Sequence, residues 1–226
     1  MRIIKLINNA AFVTAAKPDE LLGGTELAFR QGDLDGACGP YAAMTAMVAA
    51  GLLTRQQAID VWAESPDRRT KFARAIDGIP ALVQDGIDGE QLIELIRAVE
   101  KKVHGKTTCT ISDSLDDEDQ VRIGRSLIPI VKSALDDSEM PVVLKLDWEG
   151  GGAHWVVAIG YEAEEDDSVA HFLVLDPGFD VVRTQIWNGL LSAQPAKSGP
   201  KPYPYWCGNA GKHDRYCQIT QAILLT

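Results

Sequence analysis

The chain has 226 residues and a formal net charge of −10, and 46% of its residues are hydrophobic. A chain of this length and composition predicts one domain whose core needs no disulfides. The acidic charge excludes a typical nucleic-acid binder, which presents a basic surface to phosphates, and also a protein that binds anionic membranes. No apolar run reaches the roughly 18 residues of a membrane-spanning helix, so we expect no membrane insertion.

The N-terminal residues 1–9 contain a short apolar stretch that Asn8 and Asn9 interrupt. This pattern differs from a secretory signal peptide and favours a strand or an arm. We therefore expect a cytoplasmic protein, or one delivered by a secretion route that uses no signal peptide.

Residues 1–140 have mainly helical patterns. Residues 38–50 are small and apolar throughout, which predicts a buried helix. Thr54 is expected to cap the next helix, and Asp88 with Gln91 has the spacing of a capping box. The predicted helices cover about 38–50, 54–64, 88–103 and 119–135.

From Pro141 onward the chain has runs of β-branched and aromatic residues between turn clusters. Residues 192–217 are expected to be irregular. Helices followed by strands predict a single α+β domain over residues 1–226, helical in 1–140 and with a largely antiparallel sheet in 141–226. The predicted strands cover 142–148, 154–161, 171–175, 181–187 and 218–225.

Cys38 stands where the first predicted helix begins, between Ala37 and Gly39-Pro40. Small neighbours leave room for a substrate backbone, and proline favours the first helical turn. A helix N-terminus stabilises a thiolate, and the backbone N–H of Cys38 is placed to donate to an oxyanion. Cys38 is therefore the candidate nucleophile, although an isolated cysteine is more often a small core residue.

His154 follows three glycines and opens a buried-looking strand, and Asp176 ends the next strand. If these two strands pair through the hairpin between them, Asp176 lies near His154 and orients its imidazole. Asp147 and Asp180 are alternative candidates for the carboxylate that orients the histidine, but they are less well placed. Trp155 is expected either to shield the base from water or to belong to the core.

Gln31 precedes Cys38 by seven residues, and its side-chain amide is the candidate second oxyanion donor. Together, Gln31, Cys38-Gly39-Pro40, the run from His154 to Gly160 and Asp176-Pro177 resemble the papain-like cysteine peptidases, most closely the bacterial C39-like branch. The resemblance implies a papain-like fold, in which an N-terminal helical lobe carrying the nucleophile helix packs on a C-terminal antiparallel β-sheet lobe.

The resemblance also implies a cysteine peptidase that cleaves a peptide or isopeptide bond of a protein or peptide substrate. No metal or organic cofactor is implied. Two alternatives stay open. The same triad serves deamidases, transglutaminase-like enzymes and peptidoglycan amidases, some of them toxins delivered into other cells. The second alternative is a binding module without catalysis.

The remaining cysteines permit other hypotheses. A Cys207–Cys217 bridge is possible, and Cys207, His213 and Cys217 suggest three zinc ligands with Cys109 or Asp214 as a remote fourth. The spacing is not that of a common zinc site, and no Cys-x-x-Cys pair is present. Structural zinc is therefore the less favoured interpretation.

Overall fold

The computed structural model describes residues 2–8, 27–31, 37–60, 68–79, 82, 86–99, 117–180, 186–197, 199–209 and 212–225. The helices in these ranges are α1 (Cys38–Ala49), α2 (Arg55–Ile59), α3 (Arg68–Asp77), α4 (Gly89–Val99) and α5 (Asp117–Asp137). The strands are β1 (Ile3–Leu6), β2 (Val142–Trp148), β3 (Ala153–Ala163), β4 (Val169–Leu175), β5 (Gly189–Ser192), β6 (Tyr205–Asn209) and β7 (Lys212–Leu224).

The sheet closes on itself. Its strand order is β1-β3-β2-β7-β6-β5-β4, and β4 also pairs with β3. Every one of these neighbours is antiparallel. Six strands therefore form a closed antiparallel barrel, and β1 is an extra strand that pairs with the C-terminal end of β3.

The predicted papain-like fold, a helical lobe packed on a sheet lobe, is wrong. Closure of the barrel needs β5 and β6, which join β4 to β7. The segment 192–217, expected to be irregular, contains β6 and the first part of β7, and β5 ends at its first residue. Short strands separated by proline and glycine gave no clear period-two pattern there, so the sequence did not predict the closure.

The helices pack on the barrel. α1 lies against β3 and α5 against β7, while α3 and α4 pack on each other. Helical and strand residues contribute to one cluster of buried apolar side chains. Within the described part of the chain, no helix combines the length and apolarity needed to cross a membrane.

Local signals in the helical part were read correctly in most places. α1 is buried along nearly its whole length, as its small apolar residues predicted. The side chain of Thr54 accepts from the N–H of Gln57, and Asp88 accepts from the N–H of Gln91, which confirms both N-caps. The second helix ends at Ile59 and is thus shorter than predicted.

Most of the strand predicted at 181–187, residues 181–185, lies outside the described residues. Ile186 and Trp187 are not part of a strand.

Candidate active site

Cys38 is the first residue of α1, where the N–H groups of a helix have no acceptor within the helix. The preceding residue, Ala37, supplies no side-chain cap, and no acidic residue lies in the first turn. The positive end of the helix dipole is therefore not offset at Cys38. The residue is 8% exposed, so most of it is shielded from water.

α1 approaches β3 closely at Gly39. A Cβ at this position would lie 2.1 Å from Cγ2 of Ile87 and 3.3 Å from the ring of Trp155. Trp155 is buried, and its indole N–H donates to the carbonyl of Ile87 at 3.0 Å. Since Gly39 follows Cys38 and Trp155 follows His154, this packing brings the cysteine and the histidine together. Trp155 is thus a core residue.

His154 lies near the start of β3, and its Nε2 is 2.6 Å from Oδ1 of Asp176. The imidazole also interacts with the Cys38 side chain. Burial lowers the pKa of His154, but the hydrogen bonds and charges of Asp176 and Cys38 outweigh it and raise the pKa to about 10. The imidazolium form is therefore favoured at neutral pH.

The register of β3 and β4 explains the position of Asp176. Val157 pairs with Leu175, and side chains alternate along a strand, so the next residue lies on the face of the sheet that carries His154. The Asp176 residue is 1% exposed, and its Oδ1 also accepts from the N–H of Gly178 at 2.8 Å. The carboxylate is therefore fixed before any substrate binds.

Asn188 holds the backbone of Asp176 and was not among the predicted site residues. Its side-chain oxygen accepts from the N–H of Asp176 at 2.7 Å, and its Nδ2 donates to the carbonyls of Asp176 at 2.8 Å and Phe179 at 3.0 Å. Asn188 is 4% exposed. An asparagine before a glycine is typical of a turn, so no local signal marked its contact with the end of β4.

The two competing aspartates make other contacts. Asp180 accepts two hydrogen bonds from Arg30, at 3.0 and 3.1 Å. Asp147 lies 3.7 Å from Lys145 on the same strand. Of the three candidates, Asp176 is the one in hydrogen-bonding contact with His154.

Gln31 lies beside the end of β4. Its backbone N–H donates to the carbonyl of Pro177 at 2.9 Å, and two residues earlier the N–H of Phe29 donates to the hydroxyl of Thr45 on α1 at 3.1 Å. The segment before the cysteine therefore links α1 to the turn after β4. Oε1 of Gln31 is buried. A role for the side-chain amide in oxyanion binding stays a prediction.

Trp148 covers a further face of the histidine. The rings of Trp148 and His154 are stacked, with centroids 6.1 Å apart and an interplanar angle of 25°. The guanidinium of Arg215 lies over the Trp148 ring, 4.7 Å from its centroid. This contact follows from the pairing of β2 with β7.

The glycines before the histidine form the tip of the β2–β3 hairpin. Gly150, Gly151 and Gly152 have φ values of +85°, +98° and +85°, which other residues rarely adopt. A Cβ at any of them would meet nothing within 4 Å. The backbone conformation, and not a lack of space, therefore requires glycine at these positions. The hairpin tip is exposed.

The other cysteines were candidates for a bridge or a zinc site. Cys207 and Cys217 are both buried free thiols, so the Cys207–Cys217 bridge is not formed. Burial raises the pKa of Cys217. Among the described residues no three His, Cys, Asp or Glu side chains lie together as metal ligands. Cys109 and the side chain of His213 lie outside the described residues.

Compared with known proteins, the chain matches no protein-family model and no curated protein sequence. Arguments about its function consequently depend on the geometry of the site.

Proposed function

We propose that this protein is a cysteine hydrolase that cleaves a peptide or isopeptide amide bond. The observation that carries the proposal is the imidazole of His154, which contacts both the Cys38 side chain and the Asp176 carboxylate. A nucleophile, a base and a carboxylate that orients the base, all in contact, are the parts of an acyl-transfer site.

The reaction proceeds through a thioester. The Cys38 thiolate attacks the carbonyl carbon of the substrate, and the oxyanion accepts hydrogen bonds from the Cys38 N–H and the side-chain amide of Gln31. His154 gives its Nδ1 proton to the leaving amine as the carbon–nitrogen bond breaks. A water molecule then loses a proton to His154 and attacks the thioester, which releases the carboxylic acid and restores the thiolate.

Asp176 acts through the histidine. Its Oδ1 accepts from Nε2–H, which leaves Nδ1 to exchange protons with the sulfur and the leaving group. Because the pKa of His154 is raised to about 10, the imidazolium persists at neutral pH and is ready to protonate the amine. The buried carboxylate thus supports the acid role of the imidazole in the first step.

The pH dependence of Cys38 alkylation by iodoacetamide tests the proposal, with the modified cysteine identified by mass spectrometry. A free thiol has a pKa of about 8.5 and reacts slowly in acid. We expect the wild type to react selectively at Cys38 well below pH 7, and His154→Ala to lose this reactivity. His171→Ala is a matched control, since His171 also hydrogen-bonds to a carboxylate, that of Glu162, but outside the site.

Slow alkylation with an apparent pKa near 8.5 in the wild type and in His154→Ala would contradict the proposal and favour a binding module. If Cys38 is reactive, incubation with peptides separates the reactions that this nucleophile supports. Chain cleavage supports the hydrolase, whereas release of ammonia from glutamine without chain cleavage would replace it by a deamidase.

A further inference from the structure

Arg215 is an exposed cation beside the site. Its guanidinium carbon lies over the ring of Trp148, 4.7 Å from the centroid, and Trp148 also stacks with the ring of His154. Trp148 therefore connects the arginine to the imidazole. A guanidinium on an aromatic ring keeps its N–H groups free at the edges for a planar partner such as a carboxylate.

The charge of Arg215 is not neutralised by the side chains that the structure describes. None of their carboxylates lies within ion-pairing distance of it, although other arginines are paired: Arg2 with Glu162, Arg30 with Asp180 and Arg122 with Asp119. Glu149, beside Trp148, is exposed but makes no ion pair with Arg215. In a chain with net charge −10, Arg215 places a positive charge next to the site.

We propose that Arg215 and Trp148 form a subsite for a carboxylate of the substrate, supplied by an acidic side chain or by a chain terminus. This inference rests on the proposed cysteine chemistry. The ring separations of 6.1 and 4.7 Å place the guanidinium within about 11 Å of the imidazole. Since an extended residue spans about 3.3–3.6 Å, the carboxylate belongs two or three residues from the scissile bond.

Reagents that carry their own spacer test this subsite. The reagents are iodoacetyl peptides that alkylate Cys38 and carry a spacer of zero to three glycines. After the spacer, each ends in a glutamate amide, a glutamine amide or a glutamine free acid. At a given spacer length, the three reagents differ only in the carboxylate. The rate of the glutamate reagent divided by that of the glutamine reagent removes differences in intrinsic reactivity. The free acid distinguishes a terminal carboxylate from a side-chain carboxylate.

For the best spacer we expect the wild type to favour a carboxylate by roughly two- to five-fold, the size of an exposed ion pair. The preference should weaken in 1 M salt, where the Debye length is about 3 Å. Arg215→Gln should bring the ratio to one, and Arg215→Glu should invert it. Arg122→Gln, which removes the same charge from the surface of α5, should keep the wild-type ratio.

A wild-type ratio of one at every spacer, or a preference that survives in Arg215→Gln, would overturn the subsite while Cys38 still reacts rapidly and depends on His154. Slow alkylation by all reagents, with no dependence on His154, would instead overturn the cysteine chemistry and the subsite with it. The two failures are therefore distinguishable in one set of rate measurements.

Discussion

Two histidine–carboxylate pairs join the neighbouring strands β3 and β4, and only one of them belongs to the candidate site. Nε2 of His154 is 2.6 Å from Asp176, and Nδ1 of His171 is 2.7 Å from Glu162. The side chains of the two histidines are similarly shielded, 14% and 16% exposed. The length of the hydrogen bond and the exposure of the imidazole therefore do not distinguish a candidate catalytic pair from a structural one.

The surroundings of the carboxylates do distinguish them. The Asp176 side chain is 1% exposed and that of Glu162 is 23% exposed. Glu162 also accepts from Arg2 at 3.2 Å, whereas Asp176 accepts from the backbone N–H of Gly178, which cannot swing away. A buried carboxylate with fixed donors keeps its partner histidine oriented, while an exposed one shares its charge with solvent and a mobile arginine.

The third partner completes the difference. The other side of the His154 imidazole meets Cys38, whereas His171 lies against the indole of Trp206, 5.3 Å between ring centroids. A histidine–carboxylate pair without a nucleophile has no acyl-transfer chemistry to perform. We infer that the position of α1, more than the strand pairing, makes the first pair a candidate site.

The largest expected effect comes from neutralising each carboxylate in turn. Asp176→Asn should slow alkylation of Cys38 at pH 6 and any amide cleavage by about 10²–10⁴-fold, because the imidazole loses its orientation and its counter-charge. Glu162→Gln should change the same rates less than two-fold. Stopped-flow alkylation of both variants measures this. Equal effects of the two substitutions would show that the two histidine–carboxylate pairs do not differ in their influence on Cys38.

A second comparison uses stability against pH. The folded-state pKa of His154 is raised from 6.5 to about 10, so the folded protein binds the extra proton across this window and the unfolded chain does not. The contribution of the His154 proton to the free energy of unfolding is complete below pH 6.5 and is lost as the pH rises toward 10. The proposed ion pair leaves Cys38 deprotonated in the folded protein, whereas an unfolded thiol keeps its proton up to about pH 8.5. We therefore expect the free energy of unfolding to fall mainly between about pH 8.5 and 10, by roughly 2 kcal/mol.

Urea denaturation from pH 6 to pH 10 measures the slope. His154→Asn should flatten it, and His171→Asn should leave it close to the wild-type slope. A wild-type stability that rises between about pH 8.5 and 10, or a slope that persists there in His154→Asn, would contradict the imidazolium assignment.

The sequence predicted the parts of the site that depend on local pattern. Cys38 at the start of a small-residue helix, His154 at a strand start and Asp176 at a strand end were all recognisable, and the hairpin between β3 and β4 implied that the last two meet. Cys38 on α1 meets His154 only because Gly39 packs against Trp155. No periodicity in the sequence indicates this packing.

What the sequence did not predict depends on distant pairing. β7 pairs with both β2 and β6, and β5 with β4, and these contacts turn the sheet into a barrel. The same pairing of β2 with β7 places Arg215 over Trp148. Loop residues such as Asn188 acquire their role only when the chain returns to a strand end, so residue type and spacing alone do not show it.

The smallest expected effect concerns what holds Asp176 in place. Asn188→Ala removes three hydrogen bonds, two of them buried bonds to the Asp176 backbone, and should cost about 2–3 kcal/mol of stability. Arg2→Gln removes the exposed partner of Glu162 and should leave the unfolding midpoint nearly unchanged. Thermal unfolding of the two variants compares the supports of the two carboxylates directly.

Asn188 is a positioning residue only if its loss also changes the histidine. In folded Asn188→Ala, at a temperature well below its unfolding midpoint, the pH below which Cys38 alkylation fades should move upward, because a displaced carboxylate holds the imidazolium less firmly. Arg2→Gln should keep the wild-type profile. A destabilised Asn188→Ala with an unshifted profile would reduce Asn188 to a structural role, and the fixed position of Asp176 would then depend on the N–H of Gly178 and the pairing of β3 with β4.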